Sequence, residues 1–276
     1  MKEKDSVTIK KISPMAKAID DYRSVAKQMH TIWAFGAADI TECRKRLRKH
    51  KETSGESISF TAFLIACYAR VVEKHKYPIN TLRYKKKEYF IFDEVDVMTN
   101  IERNVDGVKK PVNYTVRNAH IKTLREIHNE IRAAQTKKIE LTTGNKGGKK
   151  LIKYFPKFPR FIRKIIIHKI FSTPLLKKKL LGTVGLTAAG MMAKTANQLG
   201  WMIHLTPHTF SLGIGAISRG YELDKEGKIV ERERLAATIA FDHSVIDGAP
   251  ASRFLEDMYF MIHSGCLEEE WCFKSL

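Results

Sequence analysis

The stretch that most constrains how this chain can fold runs from Ala237 to Gly248 and reads A-T-I-A-F-D-H-S-V-I-D-G. Leu235 to Phe241 is apolar and β-branched enough to form a buried strand, which ends abruptly in Asp242, His243 and Ser244. Gly248 and Pro250 then permit a turn and a helix start. Ala251, Phe254, Leu255, Met258, Met261 and Ile262 recur at helical spacing up to Gly265. The pattern holds a histidine at a strand end, with Asp247 in the turn beyond it. An imidazole placed there can take up a proton near neutral pH and return it, which acyl transfer to a thiol, alcohol or amine requires. An ordinary hydrogen-bonded His–Asp pair fits the same spacing, and the residues alone leave both readings open.

Charge narrows the partners. The formal net charge is +19, and from Leu141 to Gly220 there is no acidic residue, so most of the excess sits in one segment. Polyphosphates, nucleic acid, anionic lipid or an acidic carrier domain suit such a segment. No helix-turn-helix, RNA-binding or zinc-finger pattern accompanies it, so nucleic acid is the least expected partner. Cys43, Cys67, Cys266 and Cys272 stand apart without metal-ligand spacing and read as reduced thiols, Cys67 within a buried helix. The N-terminus lacks the apolar core of a secretory signal, and no apolar run is long enough to span a bilayer. A cytoplasmic protein is expected, with membrane association at the surface as an addition.

Along the chain, a short helix is expected around Tyr22 to Met29, a strand over Thr31 to Ile40 and a basic helix from there to His50. Phe60 to His75 is apolar around most of its circumference and should be a buried helix, with Ser57 or Ser59 as its cap and Pro78 preventing continuation. Two strands meet at a basic turn between Arg83 and Phe92. Asp106-Gly107 makes a tight turn in V-D-G-V-K-K-P-V. An amphipathic helix starts at Asn118, with Ile121, Leu124, Ile127 and Ile131 on one stripe and with His120 and His128 as surface histidines. Residues 146–181 interleave aromatics, isoleucines and cations, as in helices with one greasy and one basic face. Packing within the protein is the first reading of that segment and contact with a membrane surface through 150–180 the second. Thr209 to Ala216 alternates as a strand, and Arg219 to Arg234 forms a hairpin turning at Lys225 to Lys228. His204 and His208 are second-choice histidines that read as structural.

F-D-H-S-V-I-D-G-A-P-A-S-R-F-L (Phe241 to Leu255) resembles the H-x-x-x-D-G segment of the catalytic domain of 2-oxo acid dehydrogenase dihydrolipoamide acyltransferases, of the chloramphenicol acetyltransferase-like superfamily. G-T-V-G-L-T-A-A-G-M-M (Gly182 to Met192) is similar to that family's G-T-F-T-I-S-x-x-G-M motif, with Thr187 where the family more often has Ser. The resemblance implies an α/β two-layer sandwich with a large, mostly antiparallel sheet, occupying residues 1–276 as a single catalytic domain with a basic amphipathic insertion at about 146–181. It implies transfer of an acyl group between coenzyme A and a thiol, including dihydrolipoamide on a separate carrier, without a metal. His243 would be the general base, Thr187 the hydroxyl that stabilises the tetrahedral intermediate, and Asp247 the residue ordering the turn, paired with Arg23. It further implies a homotrimer or a higher trimer-based assembly, with His243 from one subunit and Thr187 from its neighbour.

The chain departs from the family at Trp33-Ala34, usually Pro-His, at Ser244, usually Arg, and at Ala188, usually polar. It shows no lipoyl attachment segment and no peripheral subunit-binding domain. Two alternatives accompany the main reading: transfer to an alcohol, amine or carrier protein in lipid or secondary metabolism, and a non-catalytic trimeric scaffold.

Overall fold

The computed structural model describes residues 11–27, 29–84, 87–105, 108–136, 154–188 and 200–264. Six strands form one sheet in the order β1 (Thr31–Asp39), β8 (Ile229–Asp242), β7 (Phe210–Leu223), β6 (Val184–Ala188), β4 (Val97–Val105) and β5 (Val108–Val116). Pairing is antiparallel at β1/β8, β8/β7 and β4/β5, and parallel on both sides of the short central β6. The sheet is mostly antiparallel, as the resemblance implied. The β7–β8 hairpin closes where expected: Asp224 Oδ1 accepts the N–H groups of Glu226 and Lys228, both at 2.9 Å, and Gly227 takes φ +80°. A separate small hairpin pairs β2 (Thr81–Tyr84) with β3 (Glu88–Ile91).

The second layer is helical. α3 (Phe60–Lys74) is buried over most of its surface, and α5 (Leu124–Thr136) and α8 (Gly248–Ser264) lie beside it. α2 (Thr41–Ser54) packs on α8 through a basic helix whose buried residues are Cys43 and Leu47. Tyr68 of α3, Phe210 of β7 and Phe254 of α8 meet with ring centroids 4.5–6.4 Å apart, which fixes α8 against the start of β7. Cys43 and Cys67 are buried, and burial pushes the Cys43 thiol up to about 12.

The period-two alternation of the strands gives the sheet two different faces. Val184, Leu186, Phe210, Leu212, Ile214, Leu235, Ile239 and Phe241 point into the helical core. The residues between them, including Gly185, Thr187 and Ser211, turn to the opposite face, where α1 (Pro14–Ala26) and the chain from 200 to 209 lie. That second face carries the cleft described below.

Several local expectations are corrected. The first helix spans Pro14–Ala26 rather than Tyr22 to Met29, because Ser13 Oγ caps the Ala16 N–H and Pro14 supplies the first helical position. The amphipathic helix begins at Leu124, not Asn118. Asn118 has φ +49°, its N–H is held by Asp96, and Ile121 stays exposed. Thr123 and Glu126 instead form a reciprocal capping box, Thr123 N–H to Glu126 Oε2 at 2.7 Å and Glu126 N–H to Thr123 Oγ1 at 3.2 Å. His128 accepts the Ser59 N–H at 2.9 Å and His120 accepts the Val95 N–H at 3.3 Å, so both are structural acceptors and not surface histidines. Ser59 flanks α3 as expected but makes no side-chain cap. The Asp106-Gly107 turn lies outside the described residues.

Of the basic insertion, residues 154–181 are described. They form α6 (Arg160–Phe171) and α7 (Pro174–Leu181) after a short 3₁₀ turn. Arg163 and Ile167 point inward from α6, and Phe161 and Ile165 outward. Arg163 donates to the buried Asp21 carboxylate of α1 from Nε at 2.8 Å and from Nη2 at 2.5 Å, and Arg160 adds a third bond at 3.0 Å. Burial alone would raise the Asp21 pKa, but these two guanidinium groups outweigh it and hold the carboxyl below its usual range.

Candidate active site

His243 stands immediately beyond β8, as the sequence predicts. Its N–H donates to the His30 carbonyl at 2.9 Å, tying the turn to the segment that enters β1. The preceding Asp242 uses one carboxylate oxygen for both the Ser244 N–H (3.0 Å) and the Ser244 hydroxyl (2.7 Å). Ser244, where the resemblance expects an arginine, therefore closes a side-chain turn that spans the histidine backbone. The imidazole is exposed, stacks at 29° on Phe241 with centroids 6.2 Å apart, and makes no ring hydrogen bond among the described residues. Lys177 of α7 is buried with its ammonium over the Phe171 ring at 5.2 Å. Desolvation pushes it down to about 8, against the opposing pull of Asp242.

Thr187 lies elsewhere on the same chain. It lines a cleft of about 1180 Å³ on the second face of the sheet, together with Met98, Asn100, Asn113 and Ser211. α1 contributes Arg23, and Lys27 caps its C-terminus; these are the cations among the lining residues and the groups able to meet a phosphate. His243 and Asp247 do not line this cleft. Within one chain the structure thus keeps apart the two side chains that the resemblance pairs. Arg23 faces the cleft and makes no ion pair with Asp247 among the described residues. Asp247 is exposed, and its carbonyl accepts the Ala251 N–H in the first turn of α8.

Two imidazoles rest on the cleft face, each over a glycine. A Cβ on Gly185 would meet His208 Nδ1 at 2.9 Å, and one on Gly213 would meet the His204 ring at 2.8 Å, so only glycine admits them. His208 is structural, as expected: fully buried, it bonds the Leu181 carbonyl through Nε2 at 2.8 Å and the Thr206 hydroxyl through Nδ1 at 3.2 Å. Burial pushes it down to about 3. His204 differs. It lines the cleft, as His208 does, but shares a 2.7 Å hydrogen bond between Nε2 and the Ser211 hydroxyl. The Trp33 indole holds the His204 carbonyl at 3.1 Å, and the Trp201 indole holds the Gly36 carbonyl at 2.9 Å, so this segment is fastened to β1. The His204–Ser211 pair escaped the sequence reading. The signal for it was a lone serine followed two residues on by glycine in the otherwise apolar T-F-S-L-G-I-G.

Among the described residues there is no cluster of three or more His, Cys, Asp or Glu side chains suited to a metal ion, and no helix is long and apolar enough to cross a membrane.

Comparison with known proteins follows the same lines. Residues 185–265, which include Thr187, His204, Ser211 and His243, match the family of 2-oxoacid dehydrogenases acyltransferase (catalytic domain). Among solved structures, a probable dihydrolipoamide acetyltransferase from Listeria monocytogenes 4b F2365 superposes with TM-score 0.67 at 17% identity, covering 96% of this chain and 97% of that one. The dihydrolipoamide acetyltransferase of Azotobacter vinelandii gives 0.66 at 15% identity, covering 95% and 93%. A truncated catalytic core of the 2-oxoacid dehydrogenase multienzyme complex from Thermoplasma acidophilum gives 0.60 at 19%, covering 94% and 99%. At these identities the likeness establishes the fold. No curated protein matches the chain by sequence.

Proposed function

We propose, from a chain that shares its fold with dihydrolipoamide acetyltransferase cores and matches an acyltransferase catalytic-domain family over residues 185–265, that the protein moves an acyl group between coenzyme A and a thiol acceptor. One observation carries the reading. Thr187 lines a cleft that lacks His243, while His243 presents an exposed ring, with no ring hydrogen bond among the described residues, at a strand end outside that cleft. Each half of a base–hydroxyl pair is present without the other, as in a site shared between two copies of the chain. The reading therefore includes a trimer-based assembly of single catalytic domains.

In this mechanism the acceptor thiol loses its proton to His243 as sulfur attacks the thioester carbonyl. The Thr187 hydroxyl donates to the developing oxyanion, and collapse expels the other thiol, which regains the proton from His243. Arg23 and Lys27 meet the phosphates of coenzyme A. Asp247 orders the turn through its backbone, and its carboxylate is free to find an arginine of a neighbouring copy. Dihydrolipoamide is the acceptor most consistent with the superposed structures.

The test is acetyl transfer from acetyl-CoA to dihydrolipoamide by the purified protein, beside His243→Ala. Loss of roughly 10²- to 10⁴-fold in rate is expected of the variant. Unchanged transfer would remove the histidine from the mechanism, and transfer only to an alcohol, an amine or a carrier protein would replace the acceptor.

A further inference from the structure

The cleft holds a second imidazole and a second hydroxyl that the mechanism above leaves unused. We propose that Ser211 and His204 form a nucleophile–base pair within one chain, able to take an acyl group from a thioester onto the Ser211 oxygen and release it to water. The proposal rests on the reading of this cleft as an acyl-thioester site, but it requires neither His243 nor a neighbouring copy.

Four features support it. The 2.7 Å contact between Ser211 Oγ and His204 Nε2 has the length required for proton transfer from an attacking hydroxyl. Gly213 leaves space for the ring, which a Cβ would displace. The backbone of His204 is fixed by the Trp33 indole, so the base is held rather than free to swing. Thr187 pairs with Gly213 across β6 and β7, and Gly185 with Ser211, so the Thr187 hydroxyl projects from the same face beside the pair. A donor for an oxyanion is therefore adjacent to the nucleophile.

The ring's protonation agrees with this role. Burial lowers the His204 pKa, keeping the ring neutral at pH 7, while the Met202 backbone acts in the opposite sense. His204 Nδ1 is buried and makes no full hydrogen bond. A proton retained on Nδ1 leaves Nε2 to accept from Ser211.

In the acylation step the Ser211 proton passes to His204 Nε2 as the oxygen bonds to the thioester carbon. The carbon–sulfur bond then breaks, and the departing thiolate takes the proton from Nε2. In the second half water attacks the ester, giving its proton to Nε2, and the alkoxide of Ser211 recovers it. Ser211 is only 2% exposed, so the ester is shielded from bulk solvent and deacylation is the slow half.

Two probes test the pair on the full-length protein. A fluorophosphonate reports the nucleophile without reference to coenzyme A. Stoichiometric labelling at Ser211 is expected, absent in Ser211→Ala, slowed about 10²-fold or more in His204→Gln, and retained in His243→Ala. Acetyl-CoA should then add the mass of one acetyl group to the same peptide, with slow release of acetate. No fluorophosphonate labelling of the wild type, or labelling that survives Ser211→Ala, overturns the pair. Fluorophosphonate labelling without an acetyl adduct overturns the thioester substrate. Acetyl transfer to dihydrolipoamide by the wild type, measured in parallel, reports separately on the proposed transfer reaction. Circular dichroism of Ser211→Ala and His204→Gln separates lost chemistry from lost folding.

Discussion

His208 reaches its neutral state through complete burial, and that state has a pH signature. An unfolded histidine titrates near about 6.5, whereas burial pushes the folded ring down to about 3. Folding therefore opposes protonation. The stability contributed by the neutral ring is complete above the unfolded value and is lost as pH falls from there toward the folded one. The slope reaches about 1.4 kcal/mol per pH unit for one proton. Urea midpoints measured between about pH 4 and pH 7 should show this decline, and His208→Gln should flatten it; parallel curves for the two proteins would contradict it. Thr187 allows a second prediction. Thr187→Val keeps shape and removes the donor, so acyl transfer should fall by about 10²- to 10³-fold, while Thr187→Ser should retain most of it. Equal rates for the Val and Ser variants would show that the hydroxyl is not used. At this scale the sequence was informative where a pattern is local. A histidine ending an apolar run was legible, and so was a strand hydroxyl at position 187. The His204–Ser211 pair was not, because it depends on the path of residues 200–209, which two distant indoles fix against β1.

Among the elements, α1 and α6 meet through the buried pair of Asp21 and Arg163, to which the exposed Arg160 adds a second cation. Removing its one carboxylate would leave the Arg163 guanidinium buried and unpaired. Asp21→Asn should therefore cost about 3 to 5 kcal/mol, read as a lowered denaturation midpoint, with the loosened α1 also weakening whatever Arg23 and Lys27 bind. A stability within error of the wild type would show that the cluster is solvated. The same geometry separates the two readings of the insertion. Its inward residues pack against the protein, supporting the first, while Phe161 and Ile165 remain outward on one helical stripe beside cations. If the second reading also holds, the protein floats with anionic vesicles and Phe161→Ser with Ile165→Ser abolishes it; unchanged flotation of that variant would assign any binding to charge alone. Element boundaries were least legible where a side-chain cap sets them. The start of α5 depends on Thr123 and Glu126 capping each other, and α1 begins early because Ser13 and Pro14 supply a start signal ahead of the apolar pattern.

At the scale of the molecule the issue is what completes the site. Phe35 on the edge strand β1 is exposed, and so are Trp201, Ile203 and Leu205 in the segment bordering the cleft. An apolar border of this kind beside an incomplete base–hydroxyl pair is suited to a second copy of the chain. The consequence can be measured by mixing. His243→Ala and Thr187→Val should each be inactive in transfer, because every site lacks either its base or its hydroxyl. If the site takes one residue from each of two neighbours, subunits exchanged at equal amounts place an intact histidine beside an intact threonine in about a quarter of sites. Transfer should return to about that fraction of the wild-type rate after the two proteins are unfolded and refolded together, and stay absent when they are combined without exchange. A mixture as inactive as its components would mean that both residues act within one chain, and the separation of His243 from the cleft would then have to be closed by movement rather than by assembly. Ser211 labelling of His243→Ala should equal that of the wild type, because that pair and its neighbouring threonine are complete in every copy.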